Sequence, residues 1–325
     1  MKLTMLVLAL TACAALAATE DQTNKTFQVQ SGGTIIVDID FGSIDVNTNS
    51  ADAVGVSAWR KVSRGSMAKE QKFLSENPVV FVQDGNTVTV RSRPGGKEKF
   101  HWFGGFGNRN EAKYTIQVPA RFNARLNTSG GGISASNLTG EVKADTSGGG
   151  LRFAQLHGPL NGDTSGGAIN VTDCEGPLKI HTSGGSIEVA GGAGTLEGDT
   201  SGGAITVKTF KGPVFIQTSG GGITVKNVAG KVKGDTSGGS ILAVLLSPLP
   251  GDVNLSTTGG GVTVKVPADA AFNLEAESSG GGVHCDLPVT MQGQPENNRI
   301  NGPVNGGGPV LRLETSGGGI HVQKL

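Results

Sequence analysis

Residues 182–199 read TSGGSIEVAGGAGTLEGD, and residues 200–217 read TSGGAITVKTFKGPVFIQ. The second stretch copies the first after 18 residues, and the copying runs outward in both directions. Thr-Ser-Gly-Gly begins at Thr128, Thr146, Thr164, Thr182, Thr200, Thr218 and Thr236, with looser copies at Thr257, Ser278 and Thr315. A fixed period of this length is the sequence signature of a solenoid.

Stacking the strict copies produces columns. Five residues after each Thr stand Ile133, Leu151, Ile169, Ile187, Ile205, Ile223 and Ile241, and seven after it Ala135, Phe153, Val171, Val189, Val207, Val225 and Ala243. Fourteen after it come Val142, Leu160, Leu178, Leu196, Val214 and Val232. The positions between are mostly polar, such as Arg152, Asn170, Glu188 and Thr206, or Lys143, Asn161, Lys179, Glu197 and Lys233. Apolar residues two apart with polar residues between them mark strands with one buried face. The recurrent glycines permit tight corners. The spacing therefore predicts an all-β chain: a single-stranded parallel β-helix with 18-residue coils and two main strands per coil. A calcium-binding roll is excluded, because Val189 stands where Gly184-Gly185-Ser186-Ile187-Glu188 would need an Asp ligand.

Two columns carry further expectations. Sixteen after the Thr, Gly162, Ile180, Gly198, Ile216 and Gly234 alternate small and large, which predicts that Ile fills the space beside Gly in the next coil. Next to it run Asp145, Asp163, His181, Asp199, Gln217 and Asp235. The Thr column shares the inward parity, so its hydroxyls need partners, either the next Thr or the corner backbone.

Composition agrees with an ordered, weakly charged chain. Charged residues are 17% of 325 and the net charge is zero, which excludes a charge-expanded disordered chain and a uniformly basic nucleic-acid binder. The zero conceals an asymmetry: residues 60–125 hold 13 Lys or Arg against 5 Asp or Glu.

Residues 1–17 read as a secretory signal, with Lys2 charged, an apolar run, and Ala15-Leu16-Ala17 as a small-x-small cleavage pattern. Leu10-Thr11-Ala12-Cys13 also resembles a bacterial lipobox, which would lipidate Cys13 and supply the one membrane attachment. Both readings place the protein outside the cytoplasm. Residues 18–127 read as irregular N-terminal coils with a helix over Ser66–Glu76, capped by Ser66 and stopped by Pro78. Residues 128–325 read as regular coils and a C-terminal cap, with loops at 247–250 and 289–301. Cys174 and Cys285 fall in core columns several coils apart, too far to bridge.

Val118-Pro119-Ala120 with Phe122, and Val266-Pro267-Ala268 with Phe272, mark a second, longer coil type used twice. With the Thr-Ser-Gly-Gly-x-Ile-x-Val coils and the closing Asn301-Gly302-Pro303-Val304-Asn305-Gly306-Gly307-Gly308, the chain resembles the bacterial adhesin-type β-strand-repeat family, a domain of unknown function. The resemblance runs from about Phe27 to Val322. It implies a secreted or envelope-bound β-helix and carries over no catalytic residues.

Chemistry is sparse. His101, His157, His181, His284 and His321 have no zinc spacing, and no nucleophile elbow or P-loop lysine follows the glycines. No catalytic, cofactor or metal residue is expected. The segment 97–109 stands apart, with Lys97, Lys99, Phe100, His101, Trp102, Phe103, Phe106 and Arg109. It reads either as a cap that buries its rings or as a loop for an anionic envelope glycan or a surface protein. The function expected is therefore a non-catalytic adhesin or surface scaffold. The alternative is a secreted polysaccharide-active enzyme, lyase- or hydrolase-like, built on a β-helix.

Overall fold

The structure, a computed structural model, describes residues 18–92, 109–290 and 296–325. Cys13 and the segment 97–108 lie outside the described residues. Arg109 is described only as the first residue of the strand Arg109–Pro119.

The alternating residues form strands in two long sheets of 14 strands each. Each regular repeat contributes a four-residue strand to one sheet, such as Ile187–Ala190, and a five-residue strand to the other, such as Leu196–Thr200. Neighbours pair in parallel and in register, Ile187 with Ile205 and Leu196 with Val214. A third line of single-residue bridges runs His157–Glu175–Ala193–Lys211 along the remaining side. The chain is thus all-β and solenoid-like, with one short helix.

The inward columns are buried along the whole stack, from Ile35 and Val37 to Ile320 and Val322. The small-large alternation has the expected cause at two of its three glycines. A Cβ on Gly198 would lie 3.4 Å from Ile216 Cγ2 and 3.8 Å from Ile180 Cγ1, and one on Gly234 would lie 3.1 Å from Leu255 Cδ2 and 3.7 Å from Ile216 Cγ1. At Gly162 the space is taken by Phe153 and Leu151 instead.

The corner backbone, and not the next Thr, satisfies the Thr column. Thr200 Oγ1 donates to the Gly185 carbonyl of the preceding turn at 2.8 Å and accepts from Gly203 N–H at 3.3 Å. The same pair of bonds recurs at Thr146, Thr164, Thr182, Thr218, Thr236, Thr257 and Thr315. Each buried hydroxyl therefore ties its own corner to the one below.

At both ends, spatial order departs from chain order. Near the C-terminus, Thr315 bonds Gly260, and Ser278 bonds Gly318. The final turn, Val310–Thr315 with Ile320–Lys324, is thus inserted between the turn of Val253–Val266 and that of Phe272–Cys285. Near the N-terminus the turn of Thr34–Ile39 and Ser43–Asn49 is likewise inserted, Thr34–Ile39 between Thr87–Ser92 and Asn123–Thr128, and Ser43–Asn49 between Arg109–Pro119 and Ile133–Ser136. The two Val-Pro-Ala segments stand where the chain skips over an inserted turn. His284 and His321, separated by about two coils in a sequential reading, are direct register partners with ring centroids 6.5 Å apart.

The ends also carry antiparallel strands that the parallel reading did not include. Thr19–Gln28 pairs antiparallel with Ala53–Ser63, and that strand with Arg109–Pro119. Val80–Asp84 pairs antiparallel with Thr87–Ser92. Arg299–Val304 is a strand antiparallel to Phe272–Ser278, so the loop expected over 289–301 ends at Arg299. Reversed strands let each end close without another coil to follow. The helix, α1, spans Met67–Glu76 with Ser66 at its N-cap, but the Ser66 side chain makes no capping hydrogen bond.

Candidate functional site

The sheet of five-residue strands sends alternate side chains outward as two ladders. One ladder runs Asp145, Asp163, His181, Asp199, Gln217, Asp235, each beside the next in register. The other runs Lys143, Asn161, Lys179, Glu197, Phe215, Lys233. Parallel in-register pairing spaces equivalent groups by ~4.8 Å. Between the ladders lies an open groove of about 560 Å³, lined by Lys179, His181, Glu197, Asp199, Phe215 and Lys233 among others.

Phe215 is the one aromatic ring among the exposed large hydrophobic residues described, at 38% exposure. The sequence columns pointed to a polar ladder here, and a lone Phe within it is the signal that the polar pattern masks. Its neighbours in register are Glu197 and Lys233. An apolar ring between charged neighbours offers a flat platform beside hydrogen-bonding groups.

Some carboxylates on this face have close nitrogen partners. His181 Nδ1 lies 3.4 Å from an Asp199 carboxylate oxygen, and Lys233 Nζ lies 3.5 Å from Asp235. Burial and the neighbouring Asp163 charge push the Asp145 carboxyl up from its ordinary value. The groups of this ladder follow the stack one per turn, and four of these six are carboxylates. That arrangement suits repeated contacts along a polymer better than convergence on one reacting atom.

The other sequence-singled residues scatter. His157 faces Glu175 at 3.2 Å, and His284 faces Asp286 at 3.1 Å, far along the stack. Among the described residues no cluster of three or more His, Cys, Asp or Glu could hold a metal, and no helix is long and apolar enough to cross a membrane. Cys174 is buried, Cys285 is half-buried, and both are free thiols. Burial pushes both thiols up, which disfavours the reactive thiolate. The segment with Lys97, Lys99, Phe100, His101, Trp102, Phe103 and Phe106 lies outside the described residues. Its flanks, Ser92 and Arg109, leave from strands at the N-terminal end of the stack.

That end is held by polar contacts absent from the regular turns. The buried Arg60 pairs with Asp21 and donates to the Asn77 carbonyl. The Glu70 carboxylate accepts from Arg64 N–H at 2.9 Å, from Thr19 N–H at 3.1 Å and from the Thr19 hydroxyl at 2.7 Å. Phe27 and Phe81, 6.3 Å apart, join the outermost strands of the two sheets.

Stacked turns, Thr-to-glycine corner bonds and outward ladders define a repeat-built β protein with a ribbed polar face. The chain belongs to the Toastrack DUF4097 family, whose model matches residues 35–323. No curated protein matches it. Among solved structures it is similar to a candidate cell adhesion protein from Clostridium sporogenes, at 13% identity over 94% of this chain and 100% of that one, with a TM-score of 0.23. It is also similar to a candidate adhesin from Bacteroides fragilis, at 12% identity over 93% and 97%, with a TM-score of 0.29. A candidate lipid binding protein from Parabacteroides distasonis is similar at 11% identity over 93% and 96%, with a TM-score of 0.36.

Proposed function

We propose that this protein is a non-catalytic, extracytoplasmic binding scaffold of the cell envelope, which lays its ribbed face along an extended envelope glycan. The observation that carries the reading is Phe215, an exposed ring set in a polar ladder and opening into a groove that crosses several turns. A sugar ring presents an apolar face and a hydroxyl edge, and Phe215 with Lys179, Glu197 and Gln217 offers both complements. The signal-like residues 1–17, whether cleaved or lipidated at Cys13, support export. The basic segment around Trp102 supplies attraction for anionic groups on the same partner, and salt screens it.

Retention of the purified protein on isolated envelopes and on immobilised polysaccharides tests the proposal. Phe215→Ala should lower retention several-fold while costing only about 1 kcal/mol of stability, because the ring is partly exposed and its neighbours in register are polar. Trp102→Ala and added salt should weaken retention on acidic polymers selectively. Absence of retention, or retention indifferent to Phe215→Ala, would overturn the proposal, and turnover of the polymer would replace it with an enzymatic one.

A further inference from the structure

A second charged feature lies at the N-terminal end, away from the ribbed face. Arg64, Lys69, Lys72, Phe73 and Glu76 line a cleft of about 300 Å³ between α1 and the end of the strand Ala53–Ser63. The Arg64 guanidinium stacks on the Phe73 ring, 3.6 Å from its centroid. Phe73 is in turn backed by Phe41 at 6.2 Å. Stacking fixes the plane of the guanidinium and leaves its N–H edge to bond in that plane.

No acceptor meets that edge among the described residues. Arg64 Nε is buried and unbonded. The Glu70 carboxylate beneath already takes three donors, two from Thr19 and one from the Arg64 backbone. Glu76 leans to Lys72, 3.7 Å away. Lys69 has no carboxylate partner among the described residues. A buried donor without a partner is costly to leave unmade, and partial burial lowers the Arg64 pKa, as expected for an uncompensated cation. Three cations thus share the cleft with one carboxylate that is already paired.

We propose that this cleft binds a phosphate monoester group, with Arg64 donating in the plane of its guanidinium and Lys69 and Lys72 supplying point charges. A phosphate monoester carries about −1.5 to −2 charges at neutral pH and three acceptor oxygens, which match a cleft holding two unpaired cations and a fixed donor edge. A carboxylate brings half that charge. The group belongs either to a lipid headgroup or to a free phosphorylated molecule. The site is independent of the ribbed face and of Phe215.

The test titrates the full chain at low salt with inorganic phosphate by calorimetry. In parallel, the protein is co-sedimented with phosphatidylcholine vesicles with and without phosphatidic acid. Saturable phosphate binding, weakened at least tenfold in both Arg64→Gln and the double variant Lys69→Gln/Lys72→Gln, is the result expected. The lysine pair is exposed, so this variant keeps its fold if Arg64→Gln does not. Binding to phosphatidic acid vesicles as well as to phosphate assigns a lipid source, and phosphate alone assigns a free one. Absence of both, or binding that survives the lysine double variant, would overturn the site. Phe215→Ala should leave phosphate binding unchanged, which separates this proposal from the glycan reading.

Discussion

Two adjacent glycines that look equivalent in the repeat have opposite roles. A Cβ on Gly184 would sit 3.5 Å from the Ser165 carbonyl oxygen, an ordinary contact. A Cβ on Gly185 would overlap the Gly167 carbonyl of the turn below. Gly184→Ala should therefore be tolerated, whereas Gly185→Ala should destabilise by roughly 1–3 kcal/mol or more, as overpacking against rigid backbone does. Urea denaturation of the two variants checks this, and equal losses would show that the turns are not stacked this closely. The Thr above the same corner gives a second test. Thr200→Val keeps the shape but strands the Gly185 carbonyl and the Gly203 N–H, at a cost of about 1–3 kcal/mol. Thr200→Ser keeps both bonds and should lose less, and the same denaturation series would show the ordering. The sequence singled out these columns but not their division of labour. That division depends on the distance between turns, which no residue in its own turn encodes. The left-handed residues Asn137, Gln155, Asp173, Thr209 and Asn227 went unread for a related reason. They occupy one column, yet only some of them are types that favour that conformation.

At the scale of elements, the regular strands were legible and the ends were not. Period-two alternation fixes a strand such as Ile223–Lys226 from its own residues. The inserted turns instead depend on pairing between segments far apart in sequence, and a skipped turn leaves no local periodicity to read. The Val-Pro-Ala segments did register as a different coil, without revealing that they bridge over another one. The candidate binding residues divide in the same way, because Phe215 is exposed only once the sheet is formed. Glu70 is the one buried residue of the helix. Arg64 N–H and the Thr19 groups hold the Glu70 carboxyl below the usual carboxylate range. With a folded pKa below the unfolded value of about 4.3, the unfolded chain takes up the proton first as the medium is acidified. The stabilisation from Glu70 is therefore present at neutral pH and lost as pH falls through that value to the folded one. Thermal melts between pH 7 and pH 3 should show a shallower acid-side loss for Glu70→Gln, from a lower neutral starting point. Parallel curves for variant and parent would remove Glu70 from that role.

On the scale of the whole molecule, the solenoid sets what the protein can present. Stacking by ~4.8 Å per strand turns each outward position into a ribbed line, and 14 strands carry such lines over roughly 60 Å. A stack of this kind has two open ends, which here are closed by reversed strands and by turns inserted out of order. The ribbed face and the cleft at α1 both depend on that arrangement. It is tested most directly at the C-terminal end by disulfide trapping between outward positions, with Cys285 replaced by Ser. The structure sets Thr263 beside His321 and His321 beside His284. Paired cysteines at 263 and 321 should cross-link under mild oxidation, while cysteines at 263 and 284, two strands apart, should not. Efficient cross-linking of 263 to 284 in place of 263 to 321 would mean that the turns stack in simple chain order, and would contradict the fold described.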